Sequence, residues 1–526
     1  MLPDLLTMGG LLDAAAARWP DRPYLKEEDG RSLSFAAFRE AARRVSRALL
    51  ARGGRKGDRI AIWAPNSGAW AIVAAGATQI GLQLIPLNTR FKGAEAEDIL
   101  SRGNVRWLFT VRDFLGFDYA GMLAGRDLPE LEETVFLDNG FEGWLDAVAG
   151  TDDAAVSAAI AEVGPDEHDS LDRISEGLKP NDAINIQFTS GTTGRPKGVL
   201  SSHSQNLRTF QGWADAVGLR EGDHYLIVNP FFHTFGYKAG WVVSLQQGAT
   251  VFPVAQFAAA KVLATIAQEK ITVLPGPPTI FQSLLDEAGR KPDDTASLRL
   301  AVTGAASVPP ILIRRMHDEL GIAEVLTAYG LTESSGCVSA TQAGDPVELV
   351  ASSCGRPIPG VEVRLVDADN RDVATGEPGE LLVRGFNVMK GYLDDPKATA
   401  ETIDADGWLR TGDIATQDER GYLRITDRAK DLFICGGFNC YPAEIEARLL
   451  EHPDVARVAV VGRPDERMGE VGHAVIVPKP GAVRDDKALI SWCREQMANY
   501  KVPRTVEWVD ELPVNASGKV QRFLLK

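Results

Sequence analysis

The sequence predicts an α/β protein. A large multi-layer N-terminal domain with α/β subdomains carries a small β-rich subdomain, and a small α+β domain follows it at the C-terminus. Three observations predict this. Helix and strand periodicities alternate through the first part of the chain, a run of short strands and turns fills 360–426, and a second helix–strand pattern follows residue 430.

Residues 1–20 have short apolar stretches, no basic start, and acids at Asp4 and Asp13, so they read as a helix rather than a signal peptide. Ser34 then opens a helix in which Phe35, Phe38, Ala41, Val45 and Leu49 recur at helical spacing, and Gly53 ends it. A buried strand at 59–63, a helix at 67–77 and a strand at 82–87 follow. The apolar stretch 70–87 is interrupted by Thr78, Gln79, Gly81, Gln83 and Pro86, which fits a buried helix entering a strand better than a membrane span. The rhythm continues with strand 184–189, helix 202–217, strands 225–229 and 271–274, and helix 278–288. Such alternation implies substantially parallel sheet.

The β-rich stretch holds Val361 to Val366, Gly376-Glu-Pro-Gly379, Glu380 to Arg384, Gly407-Trp408 and Gly421-Tyr422. The pattern changes again at Asp427-Arg-Ala-Lys-Asp431. Helix 443–450, strands 455–461 and 472–477, helix 486–497 and strand 505–509 are expected after it. The predicted domains are therefore 1–429 and 430–526. No repeat or low-complexity tract interrupts the 526 residues, of which 44% are hydrophobic and 24% charged, as in globular proteins.

A net charge of −16 argues against nucleic-acid binding, which needs a basic surface, but leaves small anionic ligands open. The five cysteines, Cys337, Cys354, Cys435, Cys440 and Cys493, are odd in number and sparse. They read as cytosolic thiols, hence a cytoplasmic location. Cys435 and Cys440 have no neighbouring His or Cys set to complete a zinc site.

The segment Thr189-Ser-Gly-Thr-Thr-Gly-Arg-Pro-Lys-Gly198 carries the strongest chemical signal. It follows a predicted buried strand and combines glycines, hydroxyls and one lysine. Glycines let successive N–H groups converge on an anion, and hydroxyls add donors. Pro196 before the lysine and Gly198 after it exclude a Walker A loop.

The segment resembles the phosphate loop of the adenylate-forming superfamily, which includes acyl-CoA synthetases, nonribosomal adenylation domains and luciferases. Matching segments follow in order: Phe231-Phe-His-Thr-Phe-Gly236, Tyr329-Gly-Leu-Thr-Glu333, Gly391-Tyr392, Gly407-Trp-Leu-Arg-Thr-Gly-Asp413, Asp427-Arg-Ala-Lys-Asp431, Gly436-Gly-Phe-Asn439 and Pro513-Val-Asn-Ala-Ser-Gly-Lys519. The resemblance spans about residues 10–526 and implies an ATP-dependent acid–thiol ligase. A carboxylic acid and ATP would give acyl-AMP and pyrophosphate, and the acyl group would then pass to coenzyme A.

The resemblance also implies roles. Thr189, Ser190, Gly191, Thr192, Thr193, Gly194 and Lys197 would hold phosphates. Gly304, Ala305, Ala306, Tyr329 and Gly330 would line the nucleotide, with Tyr329 stacked on adenine. Thr332 would bond a phosphate oxygen, and Glu333 with Thr192 would hold Mg²⁺, a hard cation suited to oxygen ligands. Asp413 would accept the ribose hydroxyls, with Arg428 nearby. Adenylation brings a carboxylate to a phosphate, so a cation must bridge two anions, and Lys519 takes that role. Lys430 matches the hinge on which the mobile C-terminal domain turns, carrying Lys519 out and Gly436 and Gly437 in to make room for the pantetheine thiol. His233 would sit at the mouth of the acyl pocket, with Phe235, Gly236, Ala239, Val302, Gly304, Gly330 and Cys337 around the acid.

Two other functions compete. An adenylating amide synthetase is disfavoured by the intact thiol-loop glycines, and a catalytically silent nucleotide-binding regulator by the presence of Lys519, Glu333 and Asp413. More narrowly, Phe231-Phe-His-Thr-Phe-Gly-Tyr-Lys-Ala-Gly240, Leu274-Pro-Gly-Pro-Pro-Thr-Ile280, Val302-Thr-Gly-Ala-Ala306 and Ile434-Cys-Gly-Gly-Phe-Asn439 resemble the acyl-CoA synthetases, and among them the actinobacterial ligases acting on the indanedione propionate of steroid degradation. A medium- or long-chain fatty acid or a bulky steroid-derived acid is therefore expected. The turn Gly304-Ala-Ala-Ser-Val-Pro309 departs from the Gly-Ala-Pro of many relatives. Expected partners are the small-molecule acid, ATP and coenzyme A, and the resemblance is compatible with a homodimer.

Overall fold

The structure is a computed structural model describing residues 7–138, 141–146, 170–189, 196–304, 308–428, 431–435, 438–465, 468–497, 499–514 and 520–525. The chain divides into two compact units. The first is Met1–Ala351, Gly355–Glu362 and Arg384–Leu409, and the second is Ser352–Cys354, Val363–Val383 and Arg410–Lys526.

Local signals explain the helices of the first unit. Ser34 caps Phe35–Ala51 by accepting from the Ala37 N–H, and Phe35, Phe38, Ala42, Val45 and Leu49 form its buried face. Gly53, at φ +76°, lets the chain turn out of the helix. Ser67 likewise caps Gly68–Thr78, most of which is buried. These two helices pack closely because Gly76 has no side chain. A Cβ there would lie 2.5 Å from the Ala42 carbonyl oxygen and 2.6 Å from Val45 Cβ. Ser46 Oγ donates across the gap to the Gly76 carbonyl at 2.6 Å.

Two sheets organise the first unit. One runs Gly391–Tyr392, Lys197–Ser202, Ala183–Thr189, Gln83–Pro86, Arg59–Trp63, Val105–Thr110 and Glu133–Phe136. Its last five strands pair parallel, whereas Lys197–Ser202 forms an antiparallel hairpin with Ala183–Thr189. The other sheet places Glu324–Tyr329, Leu300–Gly304, Val273–Gly276, His224–Ile227 and Thr250–Pro253 side by side, all parallel. Parallel strands buried on both faces read as continuous apolar runs, which is why the sequence showed those at 59–63, 184–189 and 271–274; Val105–Thr110, Glu133–Phe136, Thr250–Pro253, Leu300–Gly304 and Glu324–Tyr329 are additions to the predicted elements. Among the described residues, no helix is long and apolar enough to cross a membrane.

Four strands from 361–428 form a sheet in the order Val361–Val366, Gly379–Gly385, Leu409–Gln417, Leu423–Arg428. The second unit thus takes in 363–383 and 410–428 as well as the chain after 430. In its C-terminal part, Val455–Asp465 and Gly469–Pro478 make a long hairpin with Thr505–Trp508 parallel beside it. Helices Pro442–Leu449 and Asp486–Gln496 cover this sheet through Ile445, Leu449, Leu489 and Cys493, packed with Phe433, Val460 and Ile476. The hairpin Phe433–Cys435/Phe438–Cys440 is an addition to the predicted elements.

Candidate active site

The hairpin closes in register at Thr189 opposite Lys197, with Thr189 Oγ1 3.5 Å from the Lys197 carbonyl. Ser190, Gly191, Thr192, Thr193 and Gly194 lie outside the described residues. Lys197 Nζ stands 4.9 Å from the centre of the Tyr392 ring, a cation–π distance. The Tyr392 hydroxyl donates to Glu333 Oε1 at 2.9 Å. Burial first, and then the Glu333 carboxylate, push the Tyr392 phenol well above its usual range, so it stays a donor. Lys197, Tyr392 and Glu333 therefore form one cluster.

Glu333 and Thr332 sit on a short 3₁₀ turn, Thr332–Ser334, just beyond the end of the Glu324–Tyr329 strand. The backbone is crowded here. A Cβ on Gly330 would lie 2.3 Å from the Gly336 carbonyl oxygen, and one on Gly336 (φ +110°) would lie 2.0 Å from Thr234 Cγ2. Only glycine allows these approaches. They bring the 329–333 motif against the turn that carries His233. Gly304, at the C-terminal end of the adjacent strand, pairs with Ala328, and a Cβ on it would meet the Ala328 carbonyl oxygen at 2.6 Å. The cluster thus gathers at the carboxyl ends of parallel strands, the usual location of ligands in α/β sheets.

His233 caps the turn Thr234–Gly236, its Nδ1 accepting from the Phe235 N–H at 3.2 Å. With Nδ1 as acceptor, the proton of the neutral ring resides on Nε2. His233 is exposed at the surface. Desolvation by the protein around it, with a smaller contribution from the Lys238 charge, draws the pKa of this ring down, which favours its neutral form. Gly236 is fixed by contact too, since its Cβ would lie 2.3 Å from the Asn229 and Pro230 carbonyl oxygens. Asn66, a residue no motif singled out, holds this loop: its Nδ2 donates to the Asn229 carbonyl at 2.8 Å and its Oδ1 accepts from the Phe231 N–H at 2.7 Å.

His233, Phe235, Tyr329, Gly330, Thr332, Glu333, Thr189 and Lys197 retain solvent-accessible surface, whereas Gly236, Ala239, Val302, Gly304 and Cys337 are buried beneath them. Their small size is accordingly set by backbone contact at Gly236, Gly304 and Gly330. Ala305 and Ala306 lie outside the described residues.

In the second unit Asp413 is 7 % exposed on Leu409–Gln417, and its N–H donates to Thr411 Oγ1 at 3.1 Å. Asp413 pairs in register with Arg428, whose side chain, like Lys430, Gly436, Gly437 and Lys519, lies outside the described residues. Among the described residues no group of three or more His, Cys, Asp or Glu could hold a metal ion. A single carboxylate such as Glu333 fits Mg²⁺, which binds through one or two carboxylates plus substrate phosphates.

Comparison with known proteins places these features in context. The family model for the AMP-binding enzyme matches residues 12–393, and that for the AMP-binding enzyme C-terminal domain matches 444–519. The chain is 46% identical to the 7a-methyl-1,5-dioxo-octahydro-1H-inden-4-yl propanoyl:CoA ligase of Rhodococcus jostii, covering 99% of this chain and 98% of the relative. Its identity to the Mycobacterium tuberculosis ligase of the same name is also 46%, over 100% and 99% of the two chains. Among solved structures it resembles the anthranilate CoA ligase AuaEII in complex with anthranoyl-AMP, with TM-score 0.84, 27% identity, and coverage of 99% and 96%.

Proposed function

The chain belongs to the AMP-binding enzyme family and is an ATP-dependent, AMP-forming acid–CoA ligase, and we propose that its acid is a bulky alicyclic propionate of the indanedione type. The full-length 46% identity to two ligases of such an acid carries this reading.

In the proposed mechanism the hairpin loop and Lys197 hold the triphosphate, Tyr329 stacks on adenine, Thr332 bonds a phosphate oxygen, and Asp413 with Arg428 holds the ribose. Glu333 with Thr192 would hold Mg²⁺, which would neutralise charge on the phosphates. The neutral His233 offers its Nε2–H to the acid carboxylate, next to Phe235 and Gly330. A carboxylate oxygen attacks the α-phosphorus, the bond to pyrophosphate breaks, and Lys519 bridges the two anions in the transition state. Rotation at Lys430, the boundary between the proposed functional domains 1–429 and 430–526, then brings Gly436 and Gly437 to the acyl-adenylate. The thiol sulfur of coenzyme A bonds the acyl carbon, AMP leaves, and the thiol proton passes to solvent. A cytoplasmic location is proposed from the five free cysteines, and a homodimer is proposed as the assembly.

The test is kcat/KM with coenzyme A for acetate, octanoate, palmitate and an indanedione propionate. The alicyclic acid should win, and acetate should be poor because each buried methylene contributes about 0.8 kcal/mol. A large excess for octanoate or palmitate would replace the alicyclic reading with a general fatty-acid one.

A further inference from the structure

Lys238 has no role in the mechanism above, yet it is 1 % exposed, and no other lysine among the described residues is buried. Its Nζ donates to Ser201 Oγ at 3.3 Å. Among the described residues no carboxylate pairs with it, although a buried charge ordinarily needs one. Ser201 Oγ donates in turn to Asn185 Oδ1 at 3.0 Å and lies 3.3 Å from Asn206 Oδ1. Asn206 Nδ2 donates to Asn185 Oδ1 at 2.7 Å. Four residues before Lys238, Thr234 Oγ1 donates to Gln187 Oε1 at 2.9 Å.

These contacts share one geometry. Asn185 and Gln187 are two apart on a strand and so face the same side, and Ser201 is the register partner of Asn185. Thr234 and Lys238 are four apart, as residues on one helical face are. Lys238 lies in Tyr237–Val242, a π-helical turn of the kind that collects at functional sites. The two anchors therefore fasten the turn carrying His233 to the hairpin whose ends, Thr189 and Lys197, flank the glycine-rich loop.

We propose that Lys238 is a positioning residue for adenylation: through Ser201 it ties the His233 turn to the phosphate-loop hairpin, with its charge set against the His233 ring. The inference rests on the reading that His233 meets the acid carboxylate. The charge argument agrees with the geometry. Among the described residues Lys238 Nζ bonds Ser201 Oγ, which is itself bonded to Asn185 and to Asn206 of helix His203–Val217, none of them charged, and burial draws the Lys238 pKa down to about 7. The His233 pKa is lowered first by desolvation and then by the Lys238 charge. The sign is consistent: at the acid pH where the His233 ring takes up a proton, Lys238 is charged and opposes a second cation.

The test follows the His233 ring by NMR titration in the ligand-free full chain, which has seven histidines, so that His233→Gln identifies its signal. In Lys238→Met and Lys238→Gln the His233 pKa should rise by roughly half a unit to one unit, the loss of one nearby charge with burial retained. Lys238→Arg, which keeps the charge, should restore the low value. The acid limb of pyrophosphate release should move with it. Should Lys238→Met fail to fold, the Gln and Arg variants decide. An unmoved His233 titration in a folded neutral variant overturns the proposal. Failure of the functional reading would show separately, as wild-type chain that releases no pyrophosphate with any acid while the ring still titrates.

Discussion

At the residue scale, the Tyr392 hydroxyl donates to Glu333, the carboxylate proposed to hold the Mg²⁺ of ATP. Hydrogen bonds to charged groups contribute about 1.5–3 kcal/mol, less where water reaches them, and both side chains are half-buried. Tyr392→Phe leaves the ring under Lys197 but releases the carboxylate. KM for MgATP is expected to rise about tenfold with kcat for the acid little changed. A fall in kcat at constant KM would show that Tyr392 acts in the chemical step instead. The Tyr329, Thr332 and Glu333 motif was legible in the sequence because three chemically distinct residues fall within five positions. Asn66 and Lys238 were not, since their partners, Asn229 and Ser201, lie 163 and 37 residues away, and single polar residues in apolar runs carry no periodic signal.

Element packing turns on the few positions where helices or strands come closest. Gly76→Ala places a methyl against Ala42 and Val45, atoms that cannot withdraw. Overpacking of this kind costs about 1–3 kcal/mol, so the urea midpoint of the first unit should fall while ligand affinities in the folded protein hold. In the second unit, Arg522 bridges Asp431 at 3.3 Å and both oxygens of Glu446 at 2.7 Å, and Glu446 also accepts the Val460 N–H. Arg522→Met leaves two largely buried carboxylates without that cation. The second unit should lose about 3–5 kcal/mol, read as an earlier melting step. Helix starts at Ser34 and Ser67 were legible because a cap is a local event. Short elements such as Phe433–Cys435 with Phe438–Cys440 were not, because three-residue strands are defined by their pairing rather than by pattern. The resemblance implied that the glycines at 236, 304 and 330 lie around the acid, and the structure adds that each is held as glycine by backbone contact.

At the scale of the whole molecule, the proposed reaction asks one acyl-phosphate to meet two sets of groups in turn, and both sets come from the chain after residue 430. That chain has its own core, built from Phe433, Ile445, Val460, Ile476 and Leu489, so it can act as a body rather than as a strap. The argument yields a paired prediction. Lys519→Ala should slow pyrophosphate release by roughly 10²–10³, the usual loss on removing one preorganised electrostatic group. It should spare thioester formation from pre-made acyl-adenylate. Gly437→Trp should do the reverse, because on the proposed role of Gly437 a large ring there would obstruct pantetheine but leave the phosphate chemistry untouched. Single-turnover measurement of each half-reaction in both variants separates the cases. If both substitutions slowed both halves equally, one fixed arrangement would be serving both steps, and rotation about Lys430 would have no work to do. If each variant loses a different half, the two functions must reside in different arrangements of the same domain.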